Sequence, residues 1–273
     1  MVKVKQSISG VLLIVVTVLV LLPILLVIVN SFRTNHSLAV SPIGLPTSLD
    51  LSNFGYVITH MNFFRGVGIS TLITASSVAL ILLIGSAASW AIARTTRRWA
   101  SGVYRLFIAG LTIPVFVMAT PLYLEALQLG LLNNLVAVIL VYTAFNMPFA
   151  VFFYTSFLRS VPQELEEAAA IDGCGPLRTY WHIILPMLRP SSAAMAVFIA
   201  ISIWNDVTVP LLLLDSQDVQ PLTLSIYSFV GTEGGIQQSQ LFPAVLLATL
   251  PLFILFLVFQ RYIVAGISAG VGK

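Results

Sequence analysis

The chain has 273 residues, of which 58% are apolar and only 8% are charged, and its mean hydropathy is +1.00. Soluble globular domains contain about 25% charged residues, so the composition excludes a soluble enzyme, a disordered protein and a nucleic-acid-binding domain. The formal net charge is only +3, and the single cysteine, Cys174, excludes an internal disulfide framework and a cysteine-ligated metal site.

Six apolar runs are long enough to cross a membrane as helices. A hydrocarbon core about 30 Å thick needs roughly 20 helical residues, and each run supplies about that length with almost no charge. The composition and these runs predict an all-α, polytopic membrane protein with a single transmembrane domain over residues 1–273. We expect the six transmembrane helices near residues 9–31, 67–92, 106–126, 135–158, 191–213 and 241–261.

The basic residues indicate the orientation of these helices. An even number of spans puts both termini on one side, and eleven of the thirteen Lys and Arg residues then fall on that side, while Arg33 and Arg65 fall on the other. The positive-inside rule assigns the basic side to the cytoplasm, so both termini are predicted to be cytoplasmic. The first apolar run is too long for a signal peptide, so we expect an uncleaved helix.

Signatures of catalysis are missing from the sequence. The glycine-rich end, Gly266 to Lys273, lacks the spacing of a phosphate-binding loop. The three histidines are dispersed, and there is no G-x-S-x-G nucleophile elbow. We therefore predict no catalytic residue, no metal site and no cofactor bound by this chain.

Acidic residues are few in the predicted spans: Glu125 sits at the outer end of the third, and one residue lies deeper inside the fifth. Asp206 lies in the fifth span, beside Trp204 and Asn205. An ionisable residue within a membrane helix is a functional hypothesis by default, and the alternative is a structural partner for a neighbouring helix. A proton-coupled carrier normally needs more such groups, which argues against that class.

The segment between the fourth and fifth spans, residues 160–189, has the most informative pattern. Ser160 and Gln163 have the spacing of a capping box, acidic residues follow in the first turn, and Gly173 predicts a left-handed C-terminal cap. A second helix is expected near residues 177–185. So well-specified a surface segment favours docking onto a soluble partner.

The same segment resembles a known motif. Its pattern Glu167-Ala-Ala-x3-Gly173-x9-Ile183-x-Leu185-Pro186 is similar to the EAA loop of the membrane subunits of ATP-binding-cassette (ABC) importers. We call residues 160–189 the EAA loop. The resemblance implies a type I importer permease fold with a cytoplasmic coupling helix that sits in a cleft of a separate ATPase subunit. By that resemblance, the ATPase-coupling residues are Glu167, Ala168, Ala169, Gly173 and Leu185.

Further segments resemble the carbohydrate class of these permeases, of the maltose-permease type. Residues 204–211 are similar to the signature W-N-[DE]-F-x-x-P-L, with Val207 in place of the aromatic residue. Residues 121–134 look like the connection between the third and fourth spans of that class, and residues 260–270 resemble its ending Q-R-x-x-V-x-G-L-T-A-G. The resemblance covers nearly the whole chain.

Membership in that class would imply further sites and partners. The C-terminal tail would reach between two ATPase subunits, which bind ATP and Mg, through Gly266, Ser268 and Gly270. Candidates for lining a sugar path are Trp204, Asn205, Asp206, Tyr123 and Asn146. The expected partners are a second homologous permease, two ATPase subunits, an extracytoplasmic solute-binding protein, the sugar and membrane lipid. The expected location is a bacterial or archaeal cytoplasmic membrane.

Two alternatives stay open on the sequence alone. One is an ABC permease for a non-sugar solute such as a polyamine, phosphate or an amino acid, against which the C-terminal signature argues. The other is a secondary carrier that runs without an ATPase, against which the EAA spacing argues. A membrane-embedded enzyme has no visible nucleophile or metal set in this sequence.

Overall fold

The computed structural model describes residues 2–46, 49–232 and 238–271, and the regular structure within these ranges is helical, with no strand. In chain order the helices are α1 (Val2–Asn30), α2 (Asn35–Val40), α3 (Ser52–His60), α4 (Phe63–Arg94), α5 (Arg98–Gly110), α6 (Val115–Gln128), α7 (Leu135–Leu158), α8 (Glu164–Ile171), α9 (Pro176–Met187), α10 (Arg189–Asn205), α11 (Thr208–Leu213), α12 (Leu222–Thr232) and α13 (Gln238–Val271). The chain divides into two compact units. The first runs to Gly66 and includes Ser225–Pro251, and the second contains Val67–Leu224 and the chain from Leu252.

The helices are compatible with the six predicted spans. Segments of α1, α4 and α7 are each long and apolar enough to cross a membrane. Two pairs of consecutive helices, α5 with α6 and α9 with α10, are each long and apolar enough to form one membrane span with a bend in it. Helix α13 contains the apolar stretch Ser239–Ile254. The side chains from Val11 to Leu25 of α1 are all exposed. A helix that is apolar all round needs an apolar environment.

A buried arginine organises the turn that follows α1 in the first unit. Arg33 is only 2% exposed. Its guanidinium donates to Asn30 Oδ1 at 3.1 Å, to Ser37 Oγ at 2.9 Å, and to the carbonyls of Ser37 and Ser41 at 2.7 Å each. These neutral acceptors replace water around the cation, which would otherwise be costly to bury.

The two short helices after this turn begin at side-chain caps. The Thr34 hydroxyl accepts the amide of Ser37 at the start of α2. Asp50 accepts both the amide of Ser52, at 2.9 Å, and its hydroxyl, at 2.6 Å, at the start of α3. The Ser52 hydroxyl and amide hold the pKa of the Asp50 carboxyl below its usual range, because both hydrogen bonds favour the charged form.

In the second unit, α4 and α7 lie parallel and in close contact. Ser77 Oγ donates to the Ile139 carbonyl and Ser89 Oγ to the Val151 carbonyl, each at 3.4 Å and each across 62 residues of sequence. Because the residue numbers of the two partners differ by the same amount at both ends of the contact, the helices run in the same direction. This is the relation expected of the second and fourth spans of a chain that crosses a membrane alternately.

Two of the predicted spans are broken rather than continuous. The third, expected at 106–126, splits into α5 and α6, which meet at 100°. Pro114 lies at the break with an extended backbone. It has no amide to donate to the preceding turn, and it disfavours a helical conformation at Ile113. The fifth, expected at 191–213, splits into α10 and α11 at Asp206, whose backbone is also extended.

Two consecutive asparagines fix the connection between α6 and α7. Asn133 has a φ of 57°, and its amide donates to the Leu213 carbonyl at 2.7 Å. Its side-chain oxygen accepts the amides of Asp215 and Ser216, which ties the end of α11 to this connection. The Asn134 side chain caps α7. These local roles explain both asparagines of the 121–134 segment.

The α4–α7 contact yields a stability prediction. A Cβ added at Gly85 would lie 2.9 Å from the Ala150 Cβ, whereas one added at Gly68, also on α4, would meet nothing within 4 Å. We expect Gly85→Ala to lower the free energy of unfolding by about 1–3 kcal/mol, as overpacking does. We expect Gly68→Ala to leave it unchanged or to raise it by up to about 1 kcal/mol, because alanine favours helix over glycine. The measurement is the thermal unfolding midpoint in detergent.

A reciprocal exchange provides the control for this prediction. Adding Ala150→Gly to Gly85→Ala moves the methyl group from one helix to the other, and we expect it to restore the midpoint. Equal unfolding midpoints for the two single glycine variants would contradict the close approach of α4 and α7 at Gly85 and Ala150.

Candidate functional site

The first half of the EAA loop is a short helix with a complete C-terminal cap. Gly173 has a φ of +79°, as expected from the sequence. Its amide donates to the Ala170 carbonyl at 3.1 Å, and the Cys174 amide donates to the Ala169 carbonyl at 2.9 Å. These two bonds form a Schellman motif. The prediction of a glycine-terminated helix here is confirmed.

The predicted capping box at the other end of α8 is wrong. Gln163 is the N-cap residue and makes no side-chain hydrogen bond there. The Ser160 hydroxyl instead donates to the Phe157 carbonyl at 2.7 Å, because Ser160 still belongs to the final turn after α7. The amides at the start of α8 are therefore without the predicted serine cap.

The predicted coupling residues divide between two sides of the loop. Glu167, Ala168 and Gly173 are exposed, whereas Ala169 is buried and Leu185 is half-buried against the core of the second unit. Three of the five are therefore exposed.

Two large apolar side chains on either side of Gly173 in the sequence are also exposed and were not among the predicted coupling residues. Ile171 is 86% exposed and Leu177 is 77% exposed. We call Glu167, Ala168, Ile171, Gly173 and Leu177 the outer face of the EAA loop. Exposed apolar residues at the tip of a surface loop are typical of an interaction site.

The second helix of the loop, α9, contains a wide turn. Residues Tyr180–Ile184 form a π-helical turn in which the Leu185 amide donates to the Tyr180 carbonyl. Pro186 has no amide to continue the α-helical pattern, and single π turns are frequent at functional sites. A bend of 69° then separates α9 from α10. The predicted helix at 177–185 is present with this irregularity.

An acidic residue that the sequence analysis did not select holds the loop against α4. Glu166 Oε1 accepts Arg94 Nε at 2.6 Å, and Glu166 Oε2 accepts Trp90 Nε1 at 2.9 Å. Arg94 also donates to the Val161 carbonyl at 3.1 Å. The sequence contains one indication of this pairing. Trp90 and Arg94 are side-chain donors one helical turn apart on α4, a spacing at which a single carboxylate can accept hydrogen bonds from both.

A cavity of about 370 Å³ lies between α6, α7, α10 and α11. It is lined by Val115, Tyr142, Phe145, Asn146, Ser202, Ile203, Asn205, Asp206 and Val209. Three of the five predicted path residues, Asn146, Asn205 and Asp206, therefore meet at one cavity. Tyr142 is a polar lining residue that the sequence analysis missed, because a tyrosine in an apolar run gives no distinguishing pattern.

Asp206 holds the break in the fifth predicted span. Its carboxylate accepts the Tyr142 hydroxyl at 2.9 Å, the Thr208 amide at 3.2 Å and the Val209 amide at 3.0 Å. The two amides are free donors at the start of α11, so the carboxylate caps that helix. Asp206 therefore has the structural role that was its alternative, that of a partner for a neighbouring helix, here α7 through Tyr142. The same residue also lines the cavity.

The other two predicted path residues lie elsewhere. Trp204 is buried and does not line the large cavity, and its carbonyl accepts the Thr223 hydroxyl at 2.6 Å. Tyr123, on α6, is 38% exposed and is also absent from the cavity wall. In the C-terminal tail, the backbone of Gly266, Ser268 and Gly270 belongs to α13, and the side-chain surroundings of these positions lie outside the described part.

Over residues 81–269 the chain matches the family described as "Binding-protein-dependent transport system inner membrane component". It belongs to that family. Its members are the membrane-spanning permeases of ABC importers, so the chain is a membrane subunit of a transport system and not itself an enzyme.

Named relatives and a solved structure agree with this assignment. The permease is 34% identical over 265 residues to the diacetylchitobiose uptake system permease protein NgcG of Streptomyces coelicolor, covering 97% of this chain and 88% of that protein. It is 34% identical over 229 residues to the melibiose/raffinose/stachyose import permease protein MelC of Bacillus subtilis, covering 84% and 83%. It shares its fold with a chain of a bacterial ABC transporter that imports the acidic polysaccharide alginate, with a TM-score of 0.79, 21% identity, and 95% and 96% coverage. The predicted all-α importer permease fold is confirmed.

The cap at Gly173 yields a prediction about the permease that needs no partner. A residue with a Cβ pays about 1–2 kcal/mol in the left-handed region, so Gly173→Ala loosens the end of α8. We expect amide exchange at Cys174 to rise roughly 5- to 30-fold, the factor that corresponds to that cost. Hydrogen exchange with mass spectrometry of the loop peptide measures it.

Gly175 provides the matched control for this measurement. Its φ is −73°, and like Gly173 it would place an added Cβ in open space. We expect Gly175→Ala to leave the exchange at Cys174 unchanged. An equal rise in both variants would mean that the added methyl group, and not the backbone conformation, loosens the loop.

Proposed function

We propose that this chain is a permease subunit that moves a sugar across the cytoplasmic membrane in an ABC importer. The observation that carries the proposal is the EAA loop, with its capped α8 helix and exposed outer face, in a chain that belongs to the importer permease family. The sugar class is supported by relatives whose names specify diacetylchitobiose, or melibiose, raffinose and stachyose.

The outer face of the EAA loop is the surface that binds the ATPase. Ile171 and Leu177 insert into the ATPase cleft, and Glu167 pairs with a basic group beside it. Ala168 keeps the contact surface flat, and Gly173 allows the sharp turn between the two apolar side chains. Ala169 and Leu185, which are turned toward the permease, support the loop from within.

ATP and Mg are bound by the ATPase subunits, and the C-terminal tail with Gly266, Ser268 and Gly270 reaches between these subunits.

The cavity beside Asp206 is part of the sugar path. Asn146 and Asn205 each donate their side-chain amide to the carbonyl four residues earlier, at 2.8 Å and 2.9 Å. This leaves their side-chain oxygens available to sugar hydroxyl groups, and Phe145 supplies an apolar wall. A few fixed polar groups in a mainly apolar wall are typical of small-molecule sites.

The remaining partners follow from the importer class. A second homologous permease completes the path across the membrane, and an extracytoplasmic binding protein delivers the sugar to the external loops. Residues 33–66 and the segment around Thr232–Gly235 supply these loops, and residues 233–237 lie outside the described residues. Both termini lie in the cytoplasm, as the distribution of basic residues supports.

Purification of the tagged permease from mildly solubilised native membranes tests the proposal. We expect an ATPase and a second permease to co-purify in near-stoichiometric amounts. In the double variant Ile171→Ser with Leu177→Ser, we expect ATPase recovery to fall about tenfold or more, because truncating side chains that fill desolvated pockets at the centre of an interface costs the most binding energy. The measurement is quantitative mass spectrometry of the purified complex.

Leu129→Ser is the matched control, since Leu129 is an exposed apolar residue, 62% accessible, at the end of α6 and outside the EAA loop. We expect it to keep the full ATPase recovery. The importer proposal fails if no ATPase accompanies the wild-type chain while energised vesicles without ATP still transport the solute. That result would leave a secondary carrier.

Uptake kinetics test the sugar path separately. We expect Asn146→Ala and Asn205→Ala each to lower kcat/KM for uptake of a radiolabelled oligosaccharide by about tenfold, the effect of losing one to two kcal/mol of hydrogen bonding, with ATPase recovery unchanged. Ser156→Ala is the control, because Ser156 on α7 also donates to a carbonyl four residues earlier but lies outside the cavity. Unchanged kinetics in both asparagine variants would exclude this cavity from the path.

A further inference from the structure

Both helices of the EAA loop are attached to one face of α4. Glu166 on α8 binds Trp90 and Arg94, and the Tyr180 hydroxyl on α9 shares a hydrogen bond of 2.7 Å with Ser86 Oγ. Residues 86, 90 and 94 are spaced by four and therefore form a stripe along a single helix face. The rings of Trp90 and Tyr180 also approach to 5.7 Å between centroids, which joins the two attachments.

The Glu166 attachment is directional. Its two carboxylate oxygens are used by two donors at different heights of α4, which fixes the rotation of α8 as well as its distance. The side chains of Arg94 and Glu166 are only 14% and 16% exposed, so water screens the ion pair less than it would at the surface. Charge-assisted bonds of this geometry are stronger than neutral ones.

Glu166 and the outer face are on different sides of the loop. Glu166 is half-buried against α4, whereas Glu167, the next residue, is exposed. The attachment to α4 and the proposed ATPase contact therefore use separate residues, and either can be altered while the other is left in place.

From α4 the contacts continue to the cavity. Ser77, Gly85 and Ser89 hold α4 in fixed register against α7, with no room for a methyl group at Gly85. The same α7 carries Asn146 and Tyr142, and the Tyr142 hydroxyl donates to the Asp206 carboxylate at the break between α10 and α11. A contiguous set of packed and hydrogen-bonded groups thus runs from Glu166 to the cavity wall.

We propose that Glu166 is a positioning residue that transmits movement of the EAA loop to α4, and through the α4–α7 contact to the cavity. This inference rests on the proposed function, since the movement is taken to come from the ATPase. The rival route is the covalent chain itself, which links the loop to α7 at Arg159 and to α10 through the bend at Leu188. If the covalent route alone carried the movement, loss of the Glu166 contacts would leave transport unaffected.

The test is the ratio of sugar transported to ATP hydrolysed. The tagged complex, with its co-purified ATPase and second permease, is reconstituted into proteoliposomes with binding protein and radiolabelled oligosaccharide. We expect Glu166→Gln to keep full ATPase recovery and to lower the ratio about 2- to 30-fold, the range seen when single residues modulate coupling between sites. Glu164→Gln is the control, because it removes the same charge from an exposed position of the same helix.

A charge exchange separates coupling from simple damage to the loop. Arg94→Glu and Glu166→Arg each place like charges together, and we expect each to lower the ratio at least as far as Glu166→Gln. The double variant restores an ion pair, and we expect it to recover part of the ratio, as a positive interaction term in a double-mutant cycle.

Three outcomes decide against the inference in distinguishable ways. A wild-type ratio in Glu166→Gln means that the covalent route suffices. A loss of ratio that parallels a loss of bound ATPase means that Glu166 only shapes the docking surface. An absence of ATPase from the wild-type complex overturns the proposed function itself, independently of Glu166.

Discussion

A chain embedded in hydrocarbon must satisfy its own polar groups, because lipid tails offer no hydrogen bonds. The few charged or broken positions of this permease are organised by that constraint. The carboxylate of Asp206 accepts the free amides that arise where the fifth predicted span breaks, and Tyr142 supplies its third donor. Arg33, at the end of α1, is held by neutral oxygens from its own turn. Each polar residue thus stabilises an irregular piece of backbone.

The EAA loop illustrates how two adjacent residues acquire different tasks. Helical geometry places Glu166, which binds α4, and the buried Ala169 on one side of α8 and leaves Glu167, Ala168 and Ile171 exposed. The inward residues are short or paired, and the outward ones are available for an intermolecular contact. The Schellman cap at Gly173 ends α8 without any long side chain, so the tip of the loop stays narrow between its two apolar residues.

The sequence predicted the features that depend on local pattern. Apolar length located the helices, α7 falls at the predicted residues 135–158, and the glycine that follows the alanine run located the end of α8.

The sequence did not predict the 100° bend between α5 and α6, since proline is tolerated inside other helices of this chain, such as α7 at Pro148. The pairing of Glu166 with α4 joins residues more than 70 positions apart. The spacing of Trp90 and Arg94 offers two donors on one helix face, but it does not identify which carboxylate they bind. Trp204 has the residue type of a sugar platform, but its burial is set by neighbours that the motif does not contain.

The fixed register between α4 and α7 limits where this chain can change in length. One added residue between Ser77 and Ser89 would rotate the rest of α4 by about 100°. The stripe at residues 86, 90 and 94 would then turn away from Glu166 and Tyr180, and both serine contacts to α7 could not form together. The helices are therefore intolerant of insertions along this stretch, whereas the connection between α4 and α5 can lengthen without moving either contact. Under the proposed function, a change of solute preference in this permease is expected to come from side chains at the cavity and from the loops, with the spacing along α4 and α7 kept constant.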